Sequence, residues 1–223
     1  EGLYNTSSAG LLTGLDGYKM FLSNGTYNMY AFSKNSSTYP PTITNGVSAP
    51  LKNGVDYLWW ENLQQDVMAS QIHMPIVFQH VASQVVIDLS AGEGLKLDSL
   101  VSATILPPTP GASLDLRTGI IEATTTYDTT PLNMGKKGLL AQVIVLPTRA
   151  TSPMSMTLKV LADGETNPRT YTADIPIPGK LAGGFSYVFS AIIDGNSVSF
   201  PNVSIKDWTE VDESGNPIYP IQK

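Results

Sequence analysis

The sequence predicts an all-β protein of the sandwich type, and two patterns along the chain support this fold class. Segments with the two-residue alternation of a β-strand recur at spacings of roughly ten residues, with turn-forming residues between them. No stretch longer than about ten residues has the apolar periodicity of an amphipathic helix. Because an α/β fold needs helices between its strands, these patterns favour packed β-sheets instead.

The segment Met74–Leu89 carries the clearest strand signal and also a change in the phase of its alternation. Apolar residues up to His80 occupy one phase, and those from Val85 onward occupy the other. Successive strand side chains point to opposite faces of a sheet, so we expect a β-bulge or strand break between Val81 and Ser83. His80 shares the phase of its apolar neighbours, which predicts a core-facing imidazole with a backbone hydrogen-bond partner.

Further strands are predicted on both sides of this segment from alternation and flanking turn residues. Leu139–Leu146 is continuously apolar, as expected for a central strand covered on both faces, and Pro147 ends it. Glu61–Ser70 is predicted to be a short helical turn or a linker. The remaining predicted strands are Tyr27–Phe32, Asp56–Trp60, the hairpin strands Ser113–Leu116 and Ile120–Ile121, Met156–Leu161, Tyr171–Ile177, Phe185–Ile193, Ser197–Phe200 and Val203–Ile205. The predicted sandwich core contains Phe78, Val85, Ile87, Phe185, Tyr187, Phe189 and Trp208.

Composition and charge limit the partners and the chemistry that the chain can support. Its 223 residues can form one large all-β domain or two ordinary domains. Charged residues make up 14%, below the ~25% of typical soluble domains, and this is characteristic of β-rich extracellular proteins. A net charge of −6 argues against a nucleic-acid partner, because a phosphate backbone needs clustered Lys and Arg. The lack of cysteine excludes disulfides, thiolate metal sites and a cysteine nucleophile.

The sequence predicts no catalytic, cofactor or metal site, and we therefore expect the chain not to be an enzyme. His73, one of the two histidines, has no ligand-spaced neighbour. No Gly-x-Ser-x-Gly elbow is present to offer a serine nucleophile. Asp163–Asn167 and Asp212–Asn216 are predicted to be polar turns, since both lack the further carboxylates of a calcium loop. Gly183 and Gly184 precede a strand, which indicates turn glycines and not a phosphate loop.

Tyr57, Trp59 and Trp60 form an aromatic group that allows two interpretations. The three rings could offer a flat platform for sugar rings, which predicts a glycan-binding surface lipoprotein. Alternatively, the rings pack in a core and cover a neighbouring strand, and we favour this second interpretation. The first interpretation predicts an oligosaccharide affinity that is lost in Trp60→Ala without unfolding.

Several sequence blocks between residues 27 and 208 resemble one known family when they are taken in order. The most recognisable block is Ile76–Val85, in which a phenylalanine-x-histidine is followed by alternating aliphatic residues. Together the blocks resemble the fimbrillin-like family of pilus subunits made by anaerobic gut and oral bacteria. The other blocks are Tyr30–Phe32, Trp60, Asp66–Ala69, Leu114–Gly119, Val145–Pro147, Phe185–Tyr187 and Val203–Trp208.

The resemblance implies two β-sandwich domains with transthyretin-like topology, at residues 1–72 and 73–223, on an exported lipoprotein of the outer membrane. Subunits of this family polymerise by strand exchange, in which a protease removes an N-terminal strand and a neighbour's C-terminal strand fills the groove. The expected partners are other fimbrial subunits, in a homopolymer or heteropolymer, and host or bacterial surface ligands. We expect membrane attachment only through a lipid anchor that this chain does not carry.

Two departures from the family pattern favour a tip or accessory subunit at least as much as a shaft subunit. The block before Tyr27 is short, and the tail contains Pro217 and Pro220, which cannot donate to a β-ladder. The family's organisms also attach O-glycans at Asp-Ser and Asp-Thr motifs. The resemblance therefore implies candidate O-glycosylation sites at Ser99 and Thr129.

Overall fold

The computed structural model describes residues 2–7, 10–68, 72–107, 112–123, 130–148 and 153–208. These ranges consist of β-strands and their connections, with one 3-10 turn at Leu15–Gly17, so the predicted all-β fold class is confirmed. Within them, no helix is long and apolar enough to cross a membrane. The strands in chain order are β1 (Tyr4–Thr6), β2 (Leu12–Gly14), β3 (Gly25–Lys34), β4 (Ile43–Thr44), β5 (Val47–Ser48), β6 (Tyr57–Val67), β7 (Gln79–His80), β8 (Ser83–Ala91), β9 (Leu97–Leu106), β10 (Ala112–Asp115), β11 (Ile120–Ala123), β12 (Leu132–Asn133), β13 (Gly135–Lys137), β14 (Leu140–Val145), β15 (Met154–Ala162), β16 (Arg169–Ile175), β17 (Phe185–Asp194) and β18 (Ser197–Asp207).

The chain divides into two compact units. The smaller unit comprises Glu1–Met29 and Glu61–Ile76, and the larger unit comprises Tyr30–Trp60 and Val77–Lys223. Two of the three boundaries along the chain fall inside strands β3 and β6, and the third lies between Ile76 and Val77, ahead of β7. The division into sandwich domains at residues 72 and 73, and the transthyretin-like topology, stay predictions.

A β-sandwich forms most of the larger unit. Its first sheet has the strand order β13-β14-β8-β17-β18, and its second has the order β12-β9-β15-β16. The inner faces of both sheets meet in the main hydrophobic core. In β15, for example, every second residue from Met154 to Ala162 is buried, as the pleat of a strand with one core-facing side requires.

Strand β8 lies at the centre of the five-stranded sheet, antiparallel to β14 and parallel to β17. Ile87 pairs with Ala141 on one side and with Phe189 on the other. All residues from Ser83 to Leu89 are buried except Asp88, so both faces of the strand are covered. A run of β-branched residues such as Val85-Val86-Ile87 suits this position because β-branched side chains pack well on a pleated surface.

The predicted strand break between Val81 and Ser83 is confirmed. Strand β7 ends at His80, and β8 begins at Ser83. The two pieces belong to different sheets, since β7 pairs with β6 through Leu58 and His80 while β8 enters the sandwich. The change of phase in the sequence therefore marks the point at which the chain moves from one sheet to another.

A second core cluster lies in the same unit and joins distant parts of the sequence. It is built around Leu51, Tyr57, Trp59, Ala112, Leu114 and Leu146. The predicted hairpin is present as β10 and β11, and β10 also pairs with β5 in a sheet of order β11-β10-β5-β4. Residues 43–59 and 112–121 thus share a core, an association that no local sequence pattern predicted.

The predicted core residues are confirmed with one exception. Four of them lie in the main core, and Phe185 packs against it with partial exposure. Trp208 is buried in a separate small cluster with Ala82 and Ile144. Phe78 is only half-buried and lies in none of the three clusters, so its assignment to the core was wrong. The four residues in the main core are Val85, Ile87, Tyr187 and Phe189.

The prediction for Glu61–Ser70 was wrong because strand β6 continues as far as Val67. Polar residues at both phases of Glu61–Gln65 hide the two-residue alternation on which the strand prediction depends. Strand β6 as a whole lies between β3 and β7 in a three-stranded sheet, where it is hydrogen-bonded to both neighbours.

Replacing Phe189 with alanine tests the main core. Its side chain is fully buried, so Phe189→Ala is expected to lower the free energy of unfolding by about 3–5 kcal/mol. Phe21→Ala is the matched control, because its ring is 88% exposed and its removal is expected to change stability by less than about 0.5 kcal/mol. Urea denaturation followed by circular dichroism measures both, and equal losses would contradict the assignment of the core.

Candidate assembly surface

The smaller unit leaves large apolar side chains exposed and buries very few. Within residues 2–7, 10–29, 61–68 and 72–76, Val67 is the buried large apolar side chain. Most apolar residues of a stable domain lie inside, and a concentration of exposed ones marks an interaction surface. The exposed residues are Leu3, Tyr4, Leu11, Met20, Phe21, Leu22, Leu63, Met68 and Ile72.

Backbone and polar contacts hold this unit together instead of an apolar core. Strands β1 and β2 form an antiparallel hairpin, and the ring of Tyr18 meets that of Tyr4 edge-on at 5.7 Å. The Thr26 hydroxyl donates to Asp66 at 2.7 Å, and the backbone N–H of Gln64 donates to the Asn28 side chain at 3.0 Å. The unit thus keeps a defined backbone while its apolar side chains face solvent.

Few charges accompany the exposed apolar residues. Asp16 and Lys19 lie near the segment Met20–Leu22, and Glu61 and Asp66 lie on β6. A partner that binds through charge would meet few charged side chains on this surface. An extended apolar segment would instead cover the exposed apolar side chains and hydrogen-bond to an exposed strand edge. Sequence reasoning missed this surface. The apolar run Met20-Phe21-Leu22 is the sequence feature that could have indicated it. A run of three apolar residues, however, does not reveal whether these side chains are buried or exposed.

The three aromatic residues of the predicted sugar platform do not share one face. Tyr57 and Trp59 are buried in the second core cluster, and Trp60, on the opposite phase of β6, is half-buried. The Tyr57 hydroxyl accepts the backbone N–H of Lys52, and the Trp59 indole donates to the carbonyl of Leu116 at 2.8 Å. Burial raises the pKa of Tyr57, as expected for a phenol inside a core. Of the three rings, Trp60 alone keeps partial access to solvent.

The candidate O-glycosylation site Ser99 lies on β9, half-buried and paired with Leu161. The neighbouring Asp98 carboxylate accepts the backbone N–H of Gly164 at 2.7 Å and forms an ion pair with Lys96. These contacts lower the pKa of Asp98, with the Gly164 hydrogen bond as the larger cause. Thr129 lies outside the described residues, and glycosylation at both positions stays a prediction.

One of the two predicted polar turns lies within the described residues. Asp163–Asn167 is a turn, as predicted, and Arg169 forms ion pairs with Asp163 and Glu165 there. Asp212–Asn216 lies outside the described residues.

The two histidines differ in their surroundings. His73 is exposed, whereas the Nδ1 atom of His80 lies 2.8 Å from Asp56 Oδ1. The sequence predicted a backbone partner for His80, and this carboxylate was not foreseen.

Metal ligands are not assembled in the part of the chain that the structure describes. No group of three or more His, Asp or Glu side chains there could hold a metal ion. The acidic residues that do cluster, Asp163 and Glu165, are engaged by Arg169.

The fold is that of a β-sandwich protein whose smaller unit has little core of its own. The sequence profile of the fimbrillin-like family matches residues 2–208, so the chain belongs to this family. No curated protein is significantly similar to it.

Two solved structures are similar in fold. A candidate cell adhesion protein of Bacteroides uniformis superposes with a TM-score of 0.70 at 20% identity, over 92% of this chain and 84% of that one. A candidate cell adhesion protein of Bacteroides ovatus gives a TM-score of 0.68 at 16% identity, over 94% of this chain and 79% of that one. Likeness at these identities establishes the fold alone.

Gly119 provides a test of the packed position of Trp59. Its φ of +67° favours glycine, and a Cβ at this position would lie 2.6 Å from the Trp59 ring. Gly119→Ala is therefore expected to destabilise the protein through both backbone strain and overpacking, by roughly 2–4 kcal/mol in total.

Gly138→Ala is the matched control, because Gly138 has a φ of +62° but no atom within 4 Å of the added Cβ. The difference between the two thermal unfolding midpoints isolates the Trp59 contact. Equal midpoints would show that the Trp59 ring does not occupy this position.

Proposed function

We propose that the chain is a structural or adhesive subunit of a bacterial cell-surface fimbria and that its smaller unit is where a neighbouring subunit joins. The observation that carries this proposal is the exposure of Phe21 and eight other large apolar side chains in a unit that buries Val67. Membership of the fimbrillin-like family and the fold shared with candidate cell adhesion proteins support it.

The joining step is β-strand addition. An extended apolar segment of a neighbouring subunit pairs with a strand edge of the smaller unit, and its alternate side chains cover the exposed apolar residues. Burying one exposed Leu, Met or Phe side chain contributes about 1.5–3 kcal/mol. Several such anchors together offset the cost of association, which is about 4–15 kcal/mol.

The partners in this function are other fimbrial subunits, in a homopolymer or heteropolymer, and surface ligands of host or bacterial cells. The site of action is the cell surface, with attachment to the outer membrane through a lipid anchor. Assignment as a shaft, tip or accessory subunit depends on the tail with Pro217 and Pro220, which lies outside the described residues. The glycan-binding alternative now depends on Trp60 and has no further support in the site geometry.

Substituting the most exposed ring of the smaller unit tests this proposal. Phe21→Ser removes an apolar anchor from a position that is 88% exposed, so the folded subunit should keep its stability. Losing the about 1.5–3 kcal/mol that burial of this side chain contributes is expected to lower the affinity between subunits by about tenfold or more. Size-exclusion chromatography with light scattering, with and without purified partner subunits and trimming by an arginine- or lysine-specific protease, measures the assembled fraction.

Tyr39→Ser is the matched control, because Tyr39 is also an exposed aromatic residue but belongs to the larger unit. It should assemble as the unmodified chain does. A trimmed chain that remains monomeric with every partner subunit would count against assembly by strand addition. Equal assembly of the two variants would place the joining surface elsewhere.

A further inference from the structure

Three side chains from distant parts of the sequence form one continuous contact in the larger unit. Asp56 Oδ1 lies 2.8 Å from His80 Nδ1, and the imidazole stacks on the indole of Trp208. The two ring centroids are 4.0 Å apart, and their planes differ by 13°. All three residues are at least largely buried, with 9% of the His80 side chain and 5% of the Asp56 side chain exposed.

Both oxygens of the Asp56 carboxylate have partners. Oδ1 faces His80, and Oδ2 accepts the side-chain N–H of Asn35 at 3.1 Å. The backbone N–H of Asn35 also donates to the Asp56 carbonyl at 3.0 Å. A buried carboxylate is costly unless it is hydrogen-bonded, so these contacts fix the carboxylate and thereby the imidazole that lies against it.

Backbone hydrogen bonds bring Trp208 to the same place. The N–H of Trp208 donates to the carbonyl of Gly184 at 2.9 Å, and the N–H of Gly184 donates to that of Ala82 at 2.8 Å. The two backbone segments lie so close together that glycine is required here, since a Cβ on Gly183 would clash with the Val81 carbonyl oxygen. The end of β18 is therefore bound to the strand break that follows His80.

Strand β18 needs such an attachment because its final stretch has little burial of its own. It lies at the edge of its sheet and pairs with β17. Every residue from Pro201 to Asp207 is exposed, whereas Trp208, which follows, is buried. An edge strand with exposed side chains opens easily from its end unless something holds that end.

We propose that Asp56, His80 and Trp208 form a latch that holds the end of β18 against the rest of the sandwich. The buried stack supplies the apolar contact that the exposed strand lacks, and the Asp56 carboxylate keeps the imidazole in the orientation that the stack requires. The latch resists opening of β18 from its C-terminal end, which is the direction in which a pull on the chain beyond Trp208 acts. It does not depend on the proposed function.

Hydrogen exchange measured by mass spectrometry tests the latch. In His80→Ala the stack and the hydrogen bond are lost, so amides of residues 203–208 are expected to exchange about tenfold faster or more. Amides of β8 and of Phe189–Ile193 in β17 should exchange as in the unmodified chain. His73→Ala is the matched control, because His73 is the other histidine and is exposed. It should leave both regions unchanged.

Two further variants keep the test decisive if His80→Ala lowers the overall stability. His80→Phe keeps a ring for stacking but loses the bond to Asp56, and Trp208→Ala removes the indole. Both are expected to speed exchange at 203–208, and tryptic cleavage after Lys206, more than exchange in β8. Two results would contradict the proposed latch. Either exchange at 203–208 stays unchanged in these variants, or it rises equally in β8, β17 and β18.

Discussion

The structure depends on the burial of both faces of β8. One face supplies Val85, Ile87 and Leu89 to the main core between the two sheets of the sandwich. On the strand itself Gln84 and Val86 are buried as well, so the opposite face is not a solvent face either. A central strand covered on both sides fixes its neighbours β14 and β17 in register, since a slip by one residue would exchange every side chain between faces.

The two units differ in how far their large apolar side chains are buried. In the larger unit, large side chains such as Phe189 and Leu158 are fully buried, and their burial stabilises the unit. In the smaller unit, comparable side chains such as Phe21 face water, and hydrogen bonds like that of Thr26 to Asp66 maintain the backbone. The larger unit is therefore stabilised by its own core, whereas covering the apolar side chains of the smaller unit with a partner would be favourable. For a member of the fimbrillin-like family, that property suits a subunit whose work is assembly.

Much of the fold could be predicted from local alternation, and the contacts that define the sites could not. The break after His80 and the hairpin of β10 and β11 follow from two-residue periodicity and turn residues, and both are present. The C-terminal part of β6 was missed because polar side chains at both phases hide its periodicity. The pairing of Asp56 with His80 joins residues 24 positions apart, and no spacing rule for a strand predicts it. Alternation separates the faces of a strand, but it does not reveal where along a face the side chains are covered. Trp59 and Leu63 share one phase of β6, yet Trp59 is buried and Leu63 is exposed.

The central claim is that a partner covers the apolar side chains of the smaller unit, and methionine oxidation tests it directly. Met20 and Met68 are 48% and 69% exposed, whereas Met156 in the main core is 1% exposed and serves as the internal reference. Peroxide oxidation of the isolated subunit should modify Met20 and Met68 quickly and Met156 slowly, because a thioether must be accessible to react. In assembled fimbriae the oxidation of Met20 and Met68 is expected to slow by about tenfold or more, toward the rate of Met156. Oxidation of both residues at the same rate in free and assembled subunits would contradict the account.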